Sequence, residues 1–219
     1  MKPHLIFDYD GTIHDTLRIY FPALQKAFRW LREEQGVDVP EVPRHQAASW
    51  LGMNTRDMWN SFLPGLPMEL KQKAALLAGE AMAEQVRAHR AAWYPGVRDV
   101  LDTLKSRGFH MSILSNCQRS YGLIHWEEFG MDRWFDAFYD CETYGHAPKS
   151  GIILEIGRTL PPPYVVIGDR DSDLDCARAS GSPFIGCLYG FGSPEELSGA
   201  DCLIRKPEEL PRALERWTD

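Results

Sequence analysis

Four groups of residues in this chain carry side chains able to do chemistry: Asp8-Tyr9-Asp10-Gly11-Thr12, Ser115-Asn116, Lys149, and Gly168-Asp169-Arg170-Asp171-Ser172-Asp173. Taken singly, each has a plain structural explanation. Asp8 and Asp10 follow the apolar run His4–Phe7, and in extended backbone residues two apart share a face, so both carboxylates can address one site. The alternative is a polar turn that pivots on Gly11. The acids of 168–173 follow Tyr164–Ile167 and read equally well as the first turn of a helix, where Asp caps free N–H groups and complements the macrodipole. For Asp171 the helix-start reading is the better one. A calcium loop fails on inspection: counting from Asp169, the sixth position is Leu174 where glycine is required, and the twelfth is Ser180 where a bidentate Glu belongs. Ser115-Asn116 after His110–Leu114 suits ordinary turn chemistry, and a lone lysine such as Lys149 is more often solvated surface.

Their joint position says more. Asp8, Ser115 and Asp169 each sit immediately beyond the carboxyl end of a predicted strand, which is where open parallel α/β sheets bind ligands. Three strands would then deliver acids and a hydroxyl to one rim. Clustered acids raise one another's pKa unless a cation binds among them. Mg²⁺ takes hard oxygen ligands, few of them from protein, and bridges readily to phosphate. Lys149 and Ser115 could bind the remaining phosphate oxygens.

The elements that must position these residues alternate. Buried strands are expected at His4–Phe7, His110–Leu114, Tyr164–Ile167 and Phe184–Leu188, with weaker candidates at Ala137–Cys141 and Cys202–Ile204. Helical patterns cover Val97–Arg107, Lys149–Leu160, Asp173–Ser180 and Pro207–Trp217, with Gly108 and Gly181 as C-cap glycines. The expectation is an α/β fold with a doubly wound, Rossmann-like parallel sheet. Residues 16–92 break the alternation: Thr16–Gln35 and Glu69–His89 are amphipathic, Pro40, Pro43, Pro64 and Pro67 punctuate the middle, and no convincing strand intervenes. An all-helical insertion at 16–92 is therefore expected within a core of 1–15 and 93–219, its return marked by Trp93-Tyr94-Pro95-Gly96.

Bulk properties narrow the function. The 219 residues, 44% hydrophobic and 25% charged, suit one sizeable core plus a modest second domain. A net charge of −7 disfavours nucleic acid and anionic membranes, so an anionic substrate needs a local cluster of cations. The five cysteines form no CxxC pair and no zinc spacing, the opening MKPHLIFDYDGT is too short in apolar residues for a signal peptide, and no window has membrane-span length; a cytoplasmic location is expected. No cysteine is followed six positions later by Arg, and HExxH, a Walker lysine loop and GxSxG are absent.

The four motifs, in this order and spanning the chain, resemble those of the haloacid dehalogenase-like hydrolase superfamily, closest to its phosphoglycolate-phosphatase-like branch. Tyr94-Pro95-Gly96-Val97 and the stretch Gly190–Leu197 are similar to that branch too, and the helical insertion looks like its small cap. The resemblance implies a Mg²⁺-dependent phosphatase acting on a small phosphorylated metabolite. Asp8 would attack phosphorus and form an aspartyl-phosphate; Asp10 would protonate the leaving alcohol and later deprotonate water. The metal would take the Asp8 and Asp169 carboxylates and the Asp10 backbone carbonyl. Ser115, Asn116 and Lys149 would hold the phosphoryl group, Thr12 would join substrate binding, and Asp173 would act from behind, orienting Lys149 or a metal-bound water. Arg56, in the cap loop Gly52-Met53-Asn54-Thr55-Arg56, would meet a substrate carboxylate or second phosphate, or else be a surface helix residue.

Departures from the pattern matter. Lys149 is followed by Ser150 rather than the usual Pro, and His14 stands where an apolar residue is common. His14 is expected as a partly exposed turn residue, Cys117 as a bystander thiol, and Trp50 and Trp59 as packing within the cap. A dehalogenase would lack Asp10; a phosphosugar mutase would place Arg three rather than four residues after the loop glycine; a phosphonate-cleaving member would need a cap lysine. A non-catalytic binding protein that keeps the fold is the reading from a different class. A monomer or a homodimer is compatible with the sequence.

Overall fold

A computed structural model of the chain describes residues 2–53 and 55–218, with Thr55 described by its backbone alone. Short apolar runs form six parallel strands: β1 (His4–Phe7), β2 (Met111–Ser115), β3 (Ala137–Asp140), β4 (Tyr164–Gly168), β5 (Phe184–Cys187) and β6 (Cys202–Ile204). Every residue of β1, β2, β4 and β5 is buried. That is what a parallel sheet covered by helices on both faces requires. Alternate residues face opposite ways: Leu5 and Phe7 join Val100, Leu101, Met111 and Ile167 in one core, while Ile6 joins Ile152, Ile153, Val166 and Phe184 in the other.

The strand order is β3-β2-β1-β4-β5-β6. β1 lies in the middle, pairing Leu5 with Met111 on one side and with Val165 on the other. The chain winds outward through β2 and β3, then crosses to β4 and winds the other way. Strand order thus reverses between β1 and β4, the place where an open α/β sheet leaves a crevice beyond its carboxyl ends.

The chain divides into two compact units, Met1–Asp15 with Trp93–Asp219, and Thr16–Ala92. The second holds α1 (Leu17–Glu33), α2 (Arg44–Ser49), α3 (Thr55–Phe62) and α4 (Met68–Arg87). Its own core gathers Leu24, Phe28 and Leu31 of α1 around Trp50, Trp59, Ala74 and Ala78. The predicted loop Gly52–Arg56 includes Asn54, which lies outside the described residues; Arg56 is exposed in the first turn of α3.

In the sheet unit the helices are α5 (Val97–Ser106), α6 (Arg119–Phe129), α7 (Lys149–Ile156), α8 (Asp171–Ser180) and α9 (Leu210–Ala213). Several boundaries differ from the sequence reading. α7 stops at Gly157 instead of running to Leu160. The expected helix Pro207–Trp217 is broken into a 3-10 turn, the short α9 and a second 3-10 turn, since Pro211 has no N–H to continue a longer helix. α6 has no counterpart in the predicted elements. No helix among the described residues is long and apolar enough to cross a membrane.

Candidate active site

The tips of β1 and β4 place Asp8 and Asp169 side by side at the reversal point. Asp8 is the first residue after β1, and its amide bonds to Ile167 of β4 at 2.8 Å. Asp169 follows β4 and leads into α8, whose third residue, Asp173, turns back toward it. Ligand oxygens of Asp8, Asp169 and Asp173 lie within 4.8 Å of one another, all three side chains buried.

Three buried carboxylates need compensation. Part of it comes from Lys149, the first residue of α7, whose Nζ donates to Asp8 Oδ1 at 2.5 Å and to Asp173 Oδ1 at 2.6 Å. Lys149 is only 4% exposed, so the alternative of a solvated surface lysine does not apply to it. The other oxygen of Asp173 accepts the amides of Asp169 (3.2 Å) and Arg170 (3.1 Å), capping α8. The first turn of α8 is further tied by Glu196, which accepts from the Asp171 amide at 2.9 Å and from Arg170 Nε at 2.7 Å. Asp171 itself is exposed at the helix start.

Asp169 is held from two sides: Oδ2 accepts the Phe191 amide at 2.7 Å and Oδ1 the Thr12 hydroxyl at 3.2 Å. Thr12 therefore spends its hydroxyl on a neighbouring acid, where a substrate contact was expected. Gly11 has φ +96°, and a Cβ there would overlap the Asp169 carboxylate, so glycine is needed for conformation and for space.

The electrostatics show a site short of positive charge. Burial pushes the Asp8 carboxyl well above its usual range and Asp173 adds to this, with Lys149 opposing. Burial and Asp173 likewise push Asp169 up to about 7, opposed by the Phe191 amide. Burial pulls Lys149 down, but Asp173 and Asp8 outweigh it and hold it firmly cationic. Three hard oxygen donors and one ammonium in so small a volume fit a small divalent cation such as Mg²⁺.

Ser115, Asn116 and Asp10 lie at or just after the ends of β2 and β1, at the same rim. Ser115 is the last residue of β2, not the first beyond it; it is buried, and its Oγ accepts the Cys117 amide at 3.3 Å. Asn116 is exposed, and Cys117 is half-buried with its thiol pushed up by burial and Asp10. Asp10 Oδ1 accepts the Tyr121 hydroxyl at 2.7 Å. His14 is a correction: it is fully buried rather than partly exposed, because its ring stacks on Tyr9 at 5.3 Å and Nδ1 lies 3.2 Å from Asp10 Oδ1. Sequence reasoning missed Tyr121, the Phe191 amide and Glu196. The i, i+4 spacing of Tyr121 and His125 was the one available signal for the first.

A family model described as haloacid dehalogenase-like hydrolase matches residues 5–187. A phosphoglycolate phosphatase of Aquifex aeolicus is 23% identical over 218 residues, covering 96% of each chain. A phosphorylated carbohydrates phosphatase of Thermotoga maritima is 24% identical over 231 residues, covering 96% of this chain and 97% of the relative. Among solved structures, a haloacid dehalogenase-like family protein of Streptococcus pneumoniae superposes with TM-score 0.77 at 22% identity, over 97% of this chain and 98% of the other. A hydrolase of Pseudomonas syringae does so with TM-score 0.76 at 19% identity over all of both chains (100%). These two likenesses speak to the fold.

Proposed function

The chain belongs to the haloacid dehalogenase-like hydrolase family, and on that premise we propose that it is a Mg²⁺-dependent phosphatase of small phosphorylated metabolites. The observation that carries the reading is the cluster of Asp8, Asp169 and Asp173 with Lys149 bonded to two of them. Asp8 and Asp169, with the Asp10 carbonyl, would hold the metal, and Asp173 borders the same space. When bound, Mg²⁺ supplies positive charge that offsets the clustered acids and draws in a phosphate.

The chain's own groups do the rest. A carboxylate oxygen of Asp8 forms a bond to phosphorus while the bond from phosphorus to the substrate oxygen breaks, and Asp10 gives that oxygen its proton. Asp10, now a carboxylate, takes a proton from water as the water oxygen bonds to phosphorus and the Asp8–phosphorus bond breaks. Phosphate leaves and Asp8 is restored. Ser115, Asn116 and Lys149 hold the phosphoryl oxygens; for phosphoryl transfer such positioning supplies most of the catalysis. Thr12 supports Asp169, and Asp173 orients Lys149. The helical unit, with Arg56 in α3, selects the substrate, for which phosphoglycolate and sugar phosphates are the first candidates, given what the relatives' names say.

The test is hydrolysis of p-nitrophenyl phosphate, then of a metabolite-phosphate panel scored by released phosphate. EDTA should reduce turnover to background and added Mg²⁺ restore it. Asp8→Asn should cost roughly a thousandfold or more in kcat. An Arg56→Ala variant should shift the panel's preference away from substrates carrying a carboxylate or second phosphate. Undiminished turnover in pure Asp8→Asn protein ends the nucleophile assignment.

A further inference from the structure

Helix α6 reaches the Asp8–Asp10 loop with two side chains one turn apart. Tyr121 donates its hydroxyl to Asp10 Oδ1 at 2.7 Å, and His125 Nδ1 lies 2.7 Å from the hydroxyl of Tyr9, the residue between the two acids. From within the loop's own turn, His14 brings Nδ1 to 3.2 Å from that same Asp10 oxygen and 3.2 Å from Tyr121 OH. In the tautomer that carries hydrogen on Nδ1, His14 is a second donor to Oδ1, which leaves Oδ2 to hold the proton that Asp10 passes on. Two donors therefore converge on one oxygen of Asp10.

The assembly is packed as well as bonded. Tyr121 and His125 have ring centroids 4.2 Å apart, and His14 and His125 4.6 Å apart. His125 also stacks on Phe129 at 5.9 Å. Burial pushes the Tyr121 phenol upward and Asp10 adds to it, so the hydroxyl keeps its proton and remains a donor. Tyr121 and His14 share a contact with the Asp10 carboxyl, and His125 packs on both of their rings.

We propose that Tyr121, together with His14, is a positioning pair that fixes the Asp10 carboxyl group in the orientation from which its protonated form passes a proton to the leaving oxygen and its carboxylate form later takes one from water. The inference rests on the phosphatase reading. Proton transfer is steeply sensitive to geometry, and a carboxylate left to rotate loses much of its effective concentration at the leaving oxygen. The effect depends on the leaving group, because p-nitrophenolate departs without needing a proton and an alkoxide does not.

The experiment compares kcat and KM on p-nitrophenyl phosphate and on the best alkyl phosphate of the panel. Tyr121→Phe keeps the ring and removes only the donor. It should lower kcat on the alkyl phosphate by roughly tenfold to a hundredfold with little change in KM, and cost several-fold less on p-nitrophenyl phosphate. In an Asp10→Asn background the same change should cost nothing further, since the group it positions is gone. His14→Asn, which keeps a donor near the place of Nδ1, should retain more alkyl-phosphate turnover than His14→Leu. Equal losses on both substrates, or an undiminished Tyr121→Phe loss in the Asp10→Asn background, overturn the proposal. A wild-type chain inactive on both substrates overturns the phosphatase reading, and the proposal falls with it.

Discussion

At the scale of single residues, Lys149 decides whether the buried acids can coexist. Its ammonium bonds both Asp8 and Asp173, and all three side chains are buried. Removing one partner of a buried ion pair leaves an uncompensated charge and costs about 3–5 kcal/mol. Lys149→Met should therefore lower the unfolding free energy of the metal-free protein by that order, read as a fall of roughly 1–3 M in the urea midpoint. Adding Mg²⁺ should recover part of the loss, because a cation stabilises only the state that binds it. A midpoint within error of wild type would remove Lys149 from its compensating role. Asp8 and Asp169 are legible from sequence because each follows an unbroken apolar run whose end is unmistakable. The surroundings of Lys149 are not legible: its burial comes from α7 and α8 meeting over the rim, a tertiary fact that no local pattern records. His14 was misjudged for the same reason, since a histidine in a turn is normally wet and this one is roofed by His125 and Phe129.

At the scale of elements, the junction of β4 and α8 is tightly packed. A Cβ on Gly168, the last residue of β4, would overlap the carboxyl of Asp173 one helical turn on. Gly168→Ala must push Asp173 off Lys149 or move the strand tip, an overpacking cost of about 1–3 kcal/mol. Urea titration would register this, and kcat should fall at the same time; a variant as stable and as active as wild type would show that the junction yields freely. The four strands with all residues buried are the most plainly legible in the sequence, since continuous burial writes a continuous apolar run, while β3 and β6, only partly buried, match the two weaker candidates. Helix α6 escaped because Arg119–Phe129 mixes Tyr121, Leu123, His125 and Trp126 with Gly122 and no one-sided stripe. It puts polar rings toward the rim and leaves Leu123 exposed, so hydrophobic periodicity carries no signal there.

At the scale of the whole molecule, two buried histidines tie stability to pH. Burial lowers the pKa of His125 to about 3, with His14 adding to the effect, and burial lowers that of His4 to about 4 against the pull of Asp136. In the unfolded chain both take a proton near pH 6.5. Below that value the unfolded state binds more protons than the folded one, so this contribution to stability is complete above pH 6.5 and declines as the pH falls toward 3. The raised acids Asp8 and Asp169 work in the opposite sense, so the quantity to measure is a difference. The stability gap between wild type and His125→Asn should move by up to about 1.4 kcal/mol per pH unit between pH 6 and pH 4, in favour of the variant. A gap independent of pH would mean that His125 is protonated in the fold. The doubly wound architecture was legible from alternating elements, and the central place of β1 was not, because strand order is set by pairing across the whole chain. That placement has a temporal consequence. β1 is made before both of its neighbours, which are complete only once residues 115 and 168 have been made. Until residues 169 and 173 are out, Asp8 lacks both acids of its cluster, so a nascent chain stalled before that point cannot assemble the three-acid group however well its early helices have formed.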